Sequence, residues 1–216
     1  MSIKPILFNT DMVRAILANE KTQTRRIVKP NYKDDEYCLR VVTNQHTGEK
    51  YLEKLDEDED PFPNPRFVFS PYEIGDILWV RETWSTTDKC GLYPNWPIDG
   101  IHYMYKADDP DCSAAKESRW YPSIHMPKQA ARIFLRVKEV RVERLQSITS
   151  YGCVKEGISK DILYALKERM TKGIFATLWE STIKKADLPK YGWDANPLVW
   201  VIEFERCKKP EGWCAE

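Results

Sequence analysis

The stretch ARIFLRVKEVRVERL, residues 131–145, decides the fold. Ile133, Leu135 and Val137 fall on alternate positions and so share one face of a strand. The other face of this half carries Arg132, Phe134, Arg136 and Lys138. The apolar phase then moves to Val140 and Val142. A two-residue period cannot change phase without an extra residue or a break, so a bulge or sharp bend is expected near Lys138 and Glu139. Small barrels turn their corners with strands bent in this way.

Upstream, KPILF (Lys4–Phe8) reads as a first strand and DMVRAILAN as a helix capped by Asn9 or Thr10. Met12, Val13, Ile16 and Leu17 share its apolar face, and Asn19 sits where a left-handed residue would end it. GDILWVRETW (Gly75–Trp84) reads as a turn, a buried strand and polar residues at the strand end. Downstream, SITSYGCVKEGI gives a short helix capped by Ser147 or Thr149 and ended by Glu156-Gly157. A charged helix is expected over Lys160–Met170, then an amphipathic one marked by Phe175, Leu178, Trp179 and Ile183. YGWDANP is a loop in which Asp194 and Asn196 are turn residues, and LVWVIEFER closes as a strand with Trp200, Ile202 and Phe204 on one face.

Alternation outweighs continuous apolar runs, which favours antiparallel pairing over a doubly wound sheet. The expected fold is α+β and mainly β: a small mixed or antiparallel barrel decorated by helices, in one domain over residues 1–216. Two insertions, about 31–70 and 85–121, interrupt it. The first holds a hairpin, CLRVVTNQHTGEKYLEKL, then an acidic run (Glu53–Asp60) and PFPNPRF, whose three prolines exclude helix and central strand. The second is rich in tyrosine and tryptophan, with one strand at IHYMYKA.

With 33 basic and 33 acidic residues the net charge is zero, so bulk charge does not mark a nucleic-acid coat protein, although the opening stretch and residues 128–144 are locally basic. No apolar run reaches the roughly 18 residues of a membrane span. The apolar run in MSIKPILFNT is too short for a signal peptide, and a cytoplasmic location is expected. Cys38, Cys90, Cys112, Cys153, Cys207 and Cys214 lack zinc-site spacing, so free thiols and no metal or cofactor are expected.

The residues that point to chemistry lie in ANEKTQTRRIVKP (18–30). Lys21, Thr24, Arg25 and Arg26 make either a solvated basic turn or an oxyanion or phosphate site beside a hydroxyl. Burial and the two arginines would lower the proton affinity of Lys21, letting it activate Thr24 or a water. The i, i+3 spacing puts Lys21 and Thr24 on one side if the segment is turned and on opposite sides if it is extended. Glu156 is either a surface helix-end carboxylate or a general acid or base facing Lys21. Arg81, Glu82 and Trp84 follow a buried strand, as an internal ion pair beside a core tryptophan or as pocket walls with Trp84 stacking on a base. His125, between Pro122 and Pro127, is a structural histidine or one presented by a stiff loop.

Together, ANEKTQTRR, GDILWVRETW, RIFLRVKEVRVERLQSIT, VKEGI and VWVIEFERC resemble the ASCH-domain family. PSIHMP and YGWDANP resemble its enlarged members, commonly encoded by phages and prophages. The resemblance implies a PUA-like β-barrel that binds RNA or a nucleoside. In the family pattern G-x-K-x-x-E-x-R, Lys21 and Arg26 match, while Asn19 replaces the glycine and Thr24 the glutamate. A bacterial branch that hydrolyses N(4)-acetylcytidine carries K-x-x-T-x-R and a later glutamate. By that resemblance Lys21, Thr24 and Glu156 are the catalytic set, and Arg26 is a structural or anion-binding partner. Arg25, Arg26, Arg81, Glu82, Trp84 and His125 are then expected to bind substrate. The implied activity is an amidohydrolase acting on an acylated nucleoside. The alternatives are a non-catalytic RNA-binding module and a metal-independent ribonuclease.

Overall fold

The structure, a computed structural model, describes residues 1–29, 38–43, 50–55, 67–68, 70–86, 103–108, 119–161 and 168–213. The NQHTG turn, most of the acidic run and the proline-rich stretch lie outside the described residues. So do most of the second insertion, the middle of the charged segment Lys160–Met170, and Cys90, Cys112 and Cys214.

Five strands form the main sheet: β1 (Ile3–Leu7), β2 (Gln23–Ile27), β6 (Ile77–Arg81), β9 (Phe134–Arg144) and β10 (Leu198–Cys207), in the order β1-β6-β9-β10-β2. Three of the four pairings are antiparallel, and β1 runs parallel to β6. β3 (Cys38–Thr43), β4 (Lys50–Leu55) and β5 (Phe67–Val68) make a second antiparallel sheet, so the expected hairpin is present. β7 (Trp84–Thr86) pairs with β8 (Tyr103–Tyr105). The fold is thus mixed α+β, dominated by strands. Among the described residues no ladder joins β1 to β2, and the main sheet is open.

The bulge falls where the phase of the sequence demands it. Glu203 pairs with Glu139 and Phe204 with Val137, leaving Lys138 as the extra residue on β9. One inserted residue re-aims the strand, so Ile133, Leu135 and Val137 before it and Val142 after it enter the same core. The side of β9 that carries Phe134 is not simply solvated. Phe134 is buried with Ile77, Met126 and Trp213 in a separate cluster, its ring edge-on to Trp213 at 5.1 Å.

β10 is covered on both faces, as a central strand should be. Trp200, Ile202 and Phe204 face the core against helix α1 (Thr10–Leu17). Val199 and Val201 face a second core with Phe175 and Trp179 of α3 (Glu168–Ser181), Cys153 of α2 (Ser150–Lys155), and Leu145 and Ile148. The capping residues are Asn9, whose side chain accepts from Met12 N, and Thr149, whose side chain accepts from Gly152 N. Asn19 holds φ 58 at the end of α1, the left-handed position that asparagine tolerates. Asn196 holds φ 46 in the loop after α4 (Leu188–Tyr191).

Candidate active site

The Lys21–Arg26 stretch is not a solvated turn. Glu20 N and Lys21 N both donate to the Ala15 carbonyl as the chain leaves α1, and Thr22 N donates to the Lys155 carbonyl at 2.9 Å. Phe204 N donates back to the Thr22 carbonyl. The segment is pinned between α1, α2 and β10, and then continues as the edge strand β2. Lys21 is 2 % exposed, Thr24 3 % and Arg25 5 %.

Glu156 caps the C-terminal end of α2 and is itself buried. Lys21 Nζ donates to its carbonyl at 2.7 Å and to its Oε2 at 3.0 Å. Arg25 Nη1 donates to Oε1 at 2.9 Å, joined by Gln23 Nε2 at 3.4 Å. One carboxylate therefore compensates two buried cations. Gly157 makes the approach possible: at φ +102 it takes a conformation that side chains resist, and a Cβ there would lie 3.1 Å from Ala15 Cβ and 3.4 Å from Lys21 Cβ. The sequence marked Gly157 as a helix end. Its second role, letting α2 close on the lysine stem, had no sequence signal.

Burial lowers the proton affinity of Lys21 below that of an ordinary lysine. The Glu156 carboxylate opposes that effect, while Arg26 and Arg25 add to it. The Phe8 ring lies 5.6 Å from Lys21 Nζ and 5.3 Å from the Arg26 guanidinium. Arg26 Nη2 donates to the Leu7 carbonyl at 2.7 Å, so one side chain spans from edge strand β2 to edge strand β1.

A cavity of ≈ 40 Å³ opens beside this network. Thr24, Arg25, Arg26 and Glu156 form its polar wall, while α1 and α3 give its apolar wall, chiefly Phe175, Leu178 and Trp179. Lys21 lies behind Glu156 rather than on this wall. Because β2 is extended, Thr24 is on the opposite strand face from Gln23 and Arg25. Among the described residues no hydrogen bond joins Lys21 Nζ to Thr24 Oγ1; the Glu156 side chain bonds to the lysine and also lines the cavity.

On the other side of Arg25 the ion pairs continue. Arg25 Nη2 meets Glu143 at 3.0 Å, Glu143 meets Arg141 at 2.6 Å, and Arg141 and Lys155 share Glu203. This chain lies over a second cavity of ≈ 110 Å³. Gln23, Arg141, Glu143 and Glu203 were not singled out in the sequence. For Arg141, Glu143 and Glu203 the relevant signal was alternation with apolar residues along β9 and β10, which marks one face but not a buried network; Gln23 in β2 had none.

The remaining expected site residues gather elsewhere. Glu82 is 1 % exposed and bonded by both Arg132 Nε and Nη2 at 2.9 Å. Burial raises its proton affinity, against the pull of Arg132. Arg81 bonds to the Ile124 carbonyl and lies over Trp79. Trp84 is occupied by Tyr103 and Tyr121, with ring centroids at 5.8 and 5.2 Å. His125 is exposed in a short 3₁₀ turn. None of these four lines the cavity beside Thr24.

Among the described residues no three of His, Cys, Asp and Glu come together as a metal site would require. No helix among them is long and apolar enough to cross a membrane. Cys153 is fully buried, and burial pushes its thiol up to about 11, which makes it a poor nucleophile. Compared with known proteins, the chain matches no family model, no curated protein and no solved structure.

Proposed function

We propose that this chain is an ASCH-type, PUA-like protein that hydrolyses the amide of an acylated nucleobase, N(4)-acetylcytidine being the type substrate. The observation that carries the reading is the buried pair of Lys21 and Glu156, with the carboxylate on the wall of a cavity that Thr24 also lines. The Lys138 bulge and the Arg26 bridge between the two edge strands favour a barrel-like curl, with the cavity at its seam.

With Lys21 neutral, the pair works as one base whose accessible end is the carboxylate. A water, or Thr24 Oγ1, gives its proton to Glu156, which passes it across the 3.0 Å contact to Lys21. The oxygen adds to the acyl carbonyl. Arg26 supplies positive charge where the oxyanion forms. The C–N bond breaks as the proton returns through Glu156 to the departing nitrogen, releasing a carboxylate and the free amino base. If Thr24 is the nucleophile, a second water cleaves its ester by the same steps.

The charge balance favours a neutral nucleoside over an RNA backbone. Arg25, Arg141 and Lys155 are each already paired with a carboxylate, so a phosphate would have to compete for these three, while Arg26 on the cavity wall bonds to the Leu7 carbonyl and can serve one oxyanion. The test is a parallel screen of acylated nucleosides for carboxylate release, and of RNA for binding and cleavage with EDTA present. The amidohydrolase reading expects turnover in the first arm. Salt-dependent RNA binding or cleavage, without carboxylate release, would favour the alternatives.

A further inference from the structure

Arg25 belongs to no part of the family pattern, yet it is the most committed cation in the site. Its Nη1 holds Glu156 Oε1 at 2.9 Å and its Nη2 holds Glu143 Oε2 at 3.0 Å, while its Nε is buried without a partner. The planar fork thus spans two carboxylates from two elements, a geometry lysine cannot reproduce. Glu156 is left with Oε2 for Lys21.

We propose that Arg25 is a positioning residue rather than a substrate contact: by tethering Glu156 Oε1 to Glu143 it fixes the orientation of the Glu156 carboxylate and sets how tightly Lys21 holds its proton. The inference rests on the hydrolase reading for its consequence in catalysis, but not for the electrostatics itself.

The charged groups around Lys21 define the signs. Glu156 faces it from the end of α2, and Arg25 and Arg26 from β2, with the Phe8 ring alongside. Behind Arg25 stand Glu143 and Arg141 on β9, Glu203 on β10 and Lys155 on α2. The charges alternate from Lys21 outward: Lys21, Glu156, Arg25, Glu143, Arg141, Glu203, Lys155. Removing the Arg25 charge ends its repulsion of Lys21 and frees Glu156 to pair with Lys21 alone. Both effects make Lys21 hold its proton more tightly. Removing the Glu143 charge does the reverse, because Arg25 then leans wholly on Glu156. Neighbours in this chain therefore act on Lys21 with opposite signs, which a role in packing alone would not produce.

The experiment is an NMR titration of full-length protein carrying ¹³C-labelled lysine, with the Lys21 signal assigned by its loss in Lys21→Met. Lys21 should titrate at higher pH in Arg25→Gln, at lower pH in Glu143→Gln, and nearer to wild type in Arg25→Lys than in Arg25→Gln. The acid limb of kcat/KM should follow, Arg25→Gln losing about tenfold at a pH on that limb and recovering at higher pH. If Arg25→Gln does not fold, Glu143→Gln decides alone, since Glu143 is partly exposed and easier to replace. Shifts in the same direction, or none in the variants that fold, overturn the proposal. The titration needs no substrate, so a wild type that hydrolyses nothing would refute the hydrolase reading while leaving this result interpretable.

Discussion

Replacing Glu156 with glutamine tests the electrostatic core of the site. In the native protein this one carboxylate compensates Lys21, whose side chain is 0 % exposed, and Arg25, at 3 %. Glutamine keeps the volume and can still accept hydrogen bonds, but it removes the charge. Taking away one partner of a buried ion pair costs about 3–5 kcal/mol, because the other charge stays buried without compensation. Arg25 keeps Glu143, so the Lys21 half dominates. Against a total stability of about 5–15 kcal/mol this is a large fraction, and it corresponds to a fall in Tm of about 6–20 °C at neutral pH. The pH dependence has a definite sign. Burial already holds the folded proton affinity of Lys21 below its unfolded value, and losing Glu156 lowers it further. Between those two values the unfolded chain binds more protons, so stability rises with pH. The deficit of Glu156→Gln should therefore shrink as pH is raised from neutral towards the ordinary lysine range. Urea unfolding followed by tryptophan fluorescence at two pH values measures both effects. A variant within about 0.5 kcal/mol of wild type, the spread of ordinary surface changes, would refute the burial argument. So would a deficit that does not narrow with pH.

Gly157→Ala should destabilise by about 1–3 kcal/mol from its positive φ alone, and should impair activity as well by pushing on Ala15 and the Lys21 stem; circular dichroism melts and turnover assays check the two. Asp76 accepts from Ser2 N, Ser2 Oγ, Glu73 N and Lys4 Nζ, and these partners hold its carboxyl well below the usual range. It therefore contributes stability that is present above the unfolded carboxylate value of about 3.9 and is lost as pH falls further. Asp76→Asn should cost about 3 kcal/mol at pH 7, and the deficit should begin to narrow only below the unfolded value and go on narrowing as pH falls, which a denaturation series from pH 7 downward would show.

Four of the five strands of the main sheet were legible in the sequence as apolar or alternating runs; β2, with the sequence QTRRI, carries no such pattern and was left open between a turn and an extended segment. The phase change between Val137 and Val140 placed the bulge near Lys138 and Glu139, and the register of β9 on β10 makes Lys138 the extra residue. What pattern could not give was closure. Among the described residues the sheet is open, and Arg26 of β2 reaches the Leu7 carbonyl of β1 by a single hydrogen bond. The parallel pairing of β1 with β6 was also invisible, because it follows from where α1 carries the chain.

The site was legible in part. Lys21, Thr24, Arg25, Arg26 and Glu156 come together, with Thr24 in the extended strand β2 and Lys21 just before it, bonded to Glu156. The position of Lys21 behind the carboxylate could not be read from spacing, because it depends on how closely Gly157 lets α2 approach. Arg81, Glu82, Trp84 and His125 were grouped with the site because they follow a buried strand or lie in a stiff loop. Such proximity does not fix direction: Glu82 turns to Arg132 and Trp84 to two tyrosines.

The most direct measurement is acetate release from N(4)-acetylcytidine by purified wild type, Lys21→Met and Thr24→Val, each first shown to be folded. The account predicts turnover by the wild type and a fall of about 10²–10⁴-fold in the lysine variant, the usual contribution of a positioned acid–base group. It predicts a marked loss in the threonine variant as well. A folded wild type that releases no acetate, or a Lys21→Met protein that releases it at the wild-type rate, would contradict it.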